Sequence, residues 1–284
     1  MKQTRILIIG ASGTIGSKVI KEFDKNNEGV VLRLATSRSE VADKWRNDGR
    51  EAVVFDLNQP ATFAEALTDV DRVFLLTGYT SDMLFQSKHL VDAAVDAGVS
   101  HIVHLGVFTS RRDLIPHFNW HDLIETYIEA SGIAWTHLHP NVITDTVMFM
   151  LPQTNSFNWH DERIGWITAG DIAAVAAAVL REGPEKHQSA NYWLSTEALT
   201  GSEVADILSK ASGKEIKCNF DSASSEAYLS QITNAGQLAY MESGKISMAV
   251  AGQSNAQNVV RDDVLTVLGR PGTTMAEWGR LNLK

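Results

Sequence analysis

Four apolar residues, Ile6 to Ile9, run without alternation near the start of the chain. An unbroken run of that length suits a strand covered on both faces. Ile15, Val19 and Ile20 then recur at helical spacing, so a helix should follow within a few residues. Five further strands follow. Val30–Thr36, Ala52–Asp56, Arg72–Thr77, His101–Leu105 and Ala134–Leu138 read as strands. Between the later ones, helices are predicted over 61–67, 82–97 (closed by Gly98) and 120–130 (closed by Ser131-Gly132). Regular alternation of strand and helix predicts an α/β fold with a doubly wound parallel sheet and right-handed crossovers.

Past Asn141 the rhythm loosens. Asp171 is expected to cap an apolar helix over 172–181, stopped by Gly183-Pro184. Thr200 with Glu203 forms a capping box for an amphipathic helix ending at Gly213. Short strands are expected at Tyr192–Ser195 and Glu215–Phe220, and 222–284 reads as helices and loops. The expected division is therefore a dinucleotide-type domain over 1–150, to which helix 171–182 returns, and a smaller α/β substrate-covering lobe over 151–284.

Composition narrows the class only a little. The 284 residues are 44% hydrophobic and 21% charged, as in ordinary globular proteins. A net charge of −9 argues against nucleic acid as a partner. One cysteine, Cys218, permits no internal disulfide and suits a reducing compartment. The apolar run at 6–9 is too short for a secretion signal, and 172–180 is too short to span a bilayer. A cytoplasmic protein without a membrane partner is expected; the oligomeric state is left open.

The chemistry starts at Gly10, Ser12, Gly13, Thr14, Ile15 and Gly16, a G-x-x-G-x-x-G turn between the first strand and the first helix. Glycines at these positions permit a sharp turn, let backbone approach a pyrophosphate and let the helix pack closely. The helix start then offers unpaired N–H groups and a positive dipole end to the anion. That arrangement is the dinucleotide-binding turn of a Rossmann-type domain. At the end of the second strand an NAD-selecting protein usually carries a carboxylate. This chain has Ser37 and Arg38 there, which suit a 2′-phosphate, so NADP(H) is favoured over NAD(H). Asp56 and Leu57 are candidates for the adenine edge, and Thr77 and Gly78 for close passage beside the cofactor.

The glycine turn, the run His121-Asp122-Leu123-Ile124-Glu125 through Ser131-Gly132-Ile133, and the run Leu138-His139-Pro140-Asn141 together resemble the NmrA-like branch of the atypical short-chain dehydrogenase/reductases. The likeness is greatest to its quinone and triphenylmethane-dye reductases, and the layout matches over nearly the whole chain. One departure from the wider superfamily is plain. Four positions after Tyr79, Tyr127, Tyr192, Tyr228 and Tyr240 stand Met83, Ser131, Thr196, Ile232 and Gly244, so no Tyr-x-x-x-Lys pair exists. Alcohol–ketone exchange through that pair, and the epimerase chemistry built on it, are thereby weakened.

The resemblance implies His121 as the catalytic side chain, at the position where plant relatives carry a lysine. Asn141, which ends the sixth strand at the carboxyl edge where ligands sit, is a weaker candidate. It implies an NADPH-dependent reductase passing hydride directly to a conjugated or aromatic acceptor. The alternative is a non-catalytic NADP(H)-sensing regulator. Five of seven tryptophans fall between residues 120 and 193, and Trp120, Phe149, Phe157 and Trp159 are expected to line a cleft for flat rings. His117 and His121 stand four apart without a third ligand at a recognisable spacing, and His137-x-His139 reads as a strand end. No metal is expected.

Overall fold

A computed structural model describes residues 3–27, 29–109, 113–149, 151, 155–159, 161–219, 230, 232–249 and 258–283. In order, the chain forms β1 (Thr4–Ile8), α1 (Thr14–Lys25), β2 (Val30–Thr36), α2 (Ser39–Asn47) and β3 (Glu51–Val54). A 3-10 turn at Pro60–Thr62 leads into α3 (Phe63–Leu67), followed by β4 (Arg72–Leu75), α4 (Met83–Asp96), β5 (His101–Leu105), α5 (Pro116–Ala130) and β6 (Ala134–Pro140). Then come β7 (Val142–Ile143), a 3-10 turn at Thr144–Phe149, β8 (Ser156–Asn158), β9 (Ile164–Ile167), α6 (Ala169–Glu182) and α7 (Pro184–His187). The last elements are β10 (Ala190–Leu194), β11 (Glu197–Leu199), α8 (Gly201–Ser212), β12 (Lys217–Asn219), α9 (Ala235–Ala249), α10 (Asp263–Leu268) and α11 (Met275–Asn282).

Seven strands make the main sheet in the order β10-β6-β5-β4-β1-β2-β3. Every pairing among β1 to β6 is parallel. This is the mixed α/β, Rossmann-like architecture expected from the alternation. The strands are buried for the reason their sequences suggested: Ile6, Leu7, Ile8, Phe74, Leu75, Ile102 and Val103 have no exposed surface. Helices pack on the sheet through similar stripes, such as Ile15, Val19, Ile20 and Phe23 on α1.

Chain contacts divide the molecule into two units that interleave along the sequence. The first comprises 1–106, 120–139 and 173–192; the second comprises 107–119, 140–172 and 193–284. In the first, Arg72 on β4 donates from Nη1 to the carbonyls of Leu180 (2.6 Å) and Arg181 (2.9 Å), fixing the C-terminal end of α6. In the second, β9 pairs parallel with β7 and antiparallel with β11, while β12 pairs parallel with β8. Its core includes Val147, Phe157, Ile164, Trp166, Val204, Leu208, Met275 and Trp278.

Several local expectations need correction. The strands at 142–143, 156–158, 164–167 and 197–199 were not anticipated, because two to four residues are too few to show an alternation. Helix α5 starts at Pro116 rather than Trp120, with proline in the first turn where its missing N–H costs nothing. Helix α6 begins at Ala169, and the residue before it, Thr168, takes the capping role assigned to Asp171. Thr168 Oγ1 accepts from Asp171 N at 3.0 Å and donates to Asp171 Oδ2 at 2.9 Å. The box of Thr200 and Glu203 forms as expected. Residues 222–229, 231, 250–257 and 284 of the expected tail of helices and loops lie outside the described residues. No helix of the described residues is long and apolar enough to cross a membrane.

Candidate functional site

β1 lies between β2 and β4, so chains leaving the ends of β1 and β4 depart beside each other at the point where strand order reverses. Ligands of open α/β sheets sit there. Gly10 leaves β1 with φ +66°, and a β-carbon on it would lie 2.7 Å from Leu76 Cδ2, just past β4. Gly13 N donates to Gly10 O at 2.9 Å, closing the turn, and Gly13 itself precedes α1 without any side-chain cap. A β-carbon on Gly16 would strike the Gly10 carbonyl oxygen, whereas one on Gly13 would meet only that oxygen, at 3.2 Å. Ser12, Gly13 and Thr14 are exposed, Ile15 and Gly16 are buried, and the first turn of α1 carries no acidic residue. The glycines thus make a turn that is closed beneath and open above Gly13, beside a helix start free of negative charge. These residues fit a pyrophosphate.

At the end of β2, buried Thr36 accepts through Oγ1 from Arg38 N at 3.3 Å. Ser37 and Arg38 are exposed, and Arg38 precedes α2. Among the described residues no ion pair joins its guanidinium to Glu40. Asp56, the candidate for the adenine edge, is half-buried with its carboxylate engaged by its own loop. Oδ1 accepts from Asn58 N at 2.9 Å and Oδ2 from Gln59 Nε2 at 3.1 Å. Leu57 and Thr77 are half-buried, and an added β-carbon on exposed Gly78 would meet nothing within 4 Å.

In the second unit, Asn141 is 6% exposed and tied on every side. Its N donates to Leu194 O (2.9 Å), its Oδ1 accepts from Val142 N (3.0 Å), and its Nδ2 reaches Ser195 Oγ (3.5 Å). A β-carbon on Gly165 would collide with that carboxamide. Asn141 therefore holds β7 and β10 together locally. Phe157 is 1% exposed in the core of its unit, so it fills that core and is not a cleft wall. Trp159 is half-buried against Trp166, ring centroids 5.3 Å apart. Trp120, in the first unit, is half-buried, and the side chain of Phe149 lies outside the described residues.

A family model described as the NmrA-like family matches residues 2–265. The chain belongs to the NmrA-like family. It is 27% identical over 281 residues to the NAD(P)H azoreductase of Xenophilus azovorans, covering 97% of this chain and 96% of that one. Among solved structures, triphenylmethane reductase of Citrobacter sp. in complex with NADP(H) superposes with a TM-score of 0.79 at 22% identity, covering 99% and 100% of the two chains. The NADPH complex of the NADPH-dependent quinone oxidoreductase QOR2 of Escherichia coli gives a TM-score of 0.79 at 23% identity, with the same coverage.

In this NmrA-like chain, His121 is 7% exposed on α5, one turn before Glu125. Its ring lies 5.8 Å from that of His104, on β5. His104 pairs in register with His137 of β6, so both imidazoles stand on the sheet face that α5 covers. Their rings are 5.4 Å apart, and both residues have no exposed surface. Burial drives the His104 pKa well below the usual histidine value, with the neighbouring histidines adding to it. Burial lowers His137 to about 3, helped by His139. Sequence reasoning missed His104, Glu125 and His137 as a group. The only available signal was two strand histidines flanking a helix that carries His121, and that spacing matches no motif.

Proposed function

We propose that the protein is an NADPH-dependent reductase that delivers hydride directly to a conjugated or aromatic acceptor of the quinone, azo or triphenylmethane type. The observation that carries this reading is the turn from Gly10 to Gly16, open above Gly13 at the strand-order reversal. When bound, NADPH supplies the hydride. The backbone from Ser12 to Gly16 would hold the pyrophosphate, and Ser37 with Arg38 would hold a 2′-phosphate by charge-assisted hydrogen bonds. Thr77 would stand beside the cofactor, with Leu57 at the adenine. His121 is the proposed catalytic side chain, and Trp120 and Trp159 are the aromatic side chains proposed to face the acceptor.

No Tyr-x-x-x-Lys pair is present to exchange protons with an alcohol. Acceptors whose reduced form draws its proton from solvent do not need one, which supports the conjugated class over simple ketones. The test is NADPH oxidation against quinones, azo dyes and triphenylmethane dyes, with aliphatic ketones as controls. Turnover of the ring compounds alone is expected. Tight NADPH binding with no turnover of any acceptor would overturn the reading in favour of a cofactor sensor.

A further inference from the structure

The first unit holds a buried cluster that the cofactor chemistry above does not use. His104, Glu125 and His137 each point one ligand-type atom at a common centre, and these atoms lie within 4.8 Å of one another. His104 Nδ1 is 3.9 Å from Glu125 Oε1, and His139 Nδ1 is 3.5 Å from the same oxygen. His139 is oriented from behind, its Nε2 donating to Asn191 Oδ1 at 2.8 Å. Both ring nitrogens of His104 and both of His137 are buried with no hydrogen-bond partner among the described residues. A neutral imidazole carries one N–H and one lone pair, and burying either without a partner is costly. Two such rings in register beside a carboxylate suit a common occupant, although His137 Nε2 also faces Glu129 Oε1 at 3.8 Å.

We propose that His104, His137 and Glu125 form a buried site for one divalent transition-metal ion of the zinc type. Imidazole and carboxylate donors are zinc's usual nitrogen and oxygen ligands. Donors up to 4.8 Å apart would surround a centre about 2.8 Å from each, so reaching the usual 2.0–2.2 Å asks each to move in by about 0.7 Å. Side-chain torsions on β5, β6 and α5 can supply that. Three protein donors leave the fourth position to water, and the ion would link α5 to two central strands; the site does not depend on which acceptor is reduced.

The experiment uses the full chain without an affinity tag, stripped by chelator and titrated with Zn(II) or Co(II) alone. One ion per chain by elemental analysis is expected, with a rise in Tm and visible Co(II) bands of a nitrogen- and oxygen-ligated ion. His104→Leu and His137→Leu remove unpartnered polar atoms, so both should fold while losing the ion and the Tm rise. Should either fail to fold, Glu125→Gln decides, with at least ~10-fold weaker Zn(II) binding expected. Absence of stoichiometric Zn(II), or binding that these variants leave unchanged, would overturn the site.

Discussion

A β-carbon on Gly16 would occupy the same space as the carbonyl oxygen of Gly10. Helix α1 is thus pressed onto the turn that precedes it, and the obstacle is backbone, which cannot swing aside. Gly16→Ala should therefore destabilise the fold by about 1–3 kcal/mol, read by urea unfolding. Gly13 is different, because a side chain there meets only Gly10 O at 3.2 Å and otherwise points out of the turn. Gly13→Val should keep a near-normal Tm and lose NADPH binding in calorimetric titration. Normal binding by that variant would mean the turn is not the phosphate site.

Arg38 precedes α2 with its side chain in solvent. If it grips a 2′-phosphate, Arg38→Ala should weaken NADPH by about 1.5–3 kcal/mol, roughly 10- to 150-fold, and leave NADH nearly unaffected. Competition between the two cofactors measures this directly. Equal losses for both would remove Arg38 from the site.

Phe157, wholly inside its unit, should behave as a core residue. Phe157→Ala should cost about 3–5 kcal/mol of stability. The KM for a dye acceptor should barely change, whereas Trp159→Ala should raise it. Kinetics and thermal melts on both variants separate the two roles.

Asp171 is 1% exposed and accepts from Arg270 Nη1 (2.8 Å) and Thr273 N (2.6 Å) as well as from Thr168. It ties the start of α6 to the segment before α11. Asp171→Ala strands those donors and should cost roughly 1–3 kcal/mol. The drop in Tm is the readout, and a shift below one degree would contradict it.

Acid should loosen the fold well before the carboxylates titrate. His101 is lowered to about 4 by burial and by nearby Arg72 and His187, and His117 to about 4 by burial alone. Unfolded, each histidine takes a proton near pH 6.5. Between those values the unfolded chain binds more protons, so stability falls as pH drops from about 6.5 toward 4. At pH 5 the loss should reach roughly 2 kcal/mol per histidine, measured by urea unfolding against pH 7.5. His117→Gln should flatten that dependence by one proton's worth.

The chain's own pattern determined the sheet and the glycine turn. Strands such as Val30–Thr36 and His101–Leu105 form over the very residues that read as strands from the apolar pattern. The turn from Gly10 to Gly16 was equally legible, since its geometry depends on local backbone freedom and on a helix that starts within it. The capping box of Thr200 and Glu203 is local in the same way. What only the tertiary structure decided is long-range. The packing of Asn141 against Gly165 and Ser195, and of Phe157 within the core of its unit, is written in no local spacing. His104, Glu125 and His137 carry no shared spacing. They meet because parallel register sets β5 against β6 while the intervening α5 crosses over the same face. Hydrophobic periodicity records which face of an element is buried, but it does not record which buried polar groups will face one another.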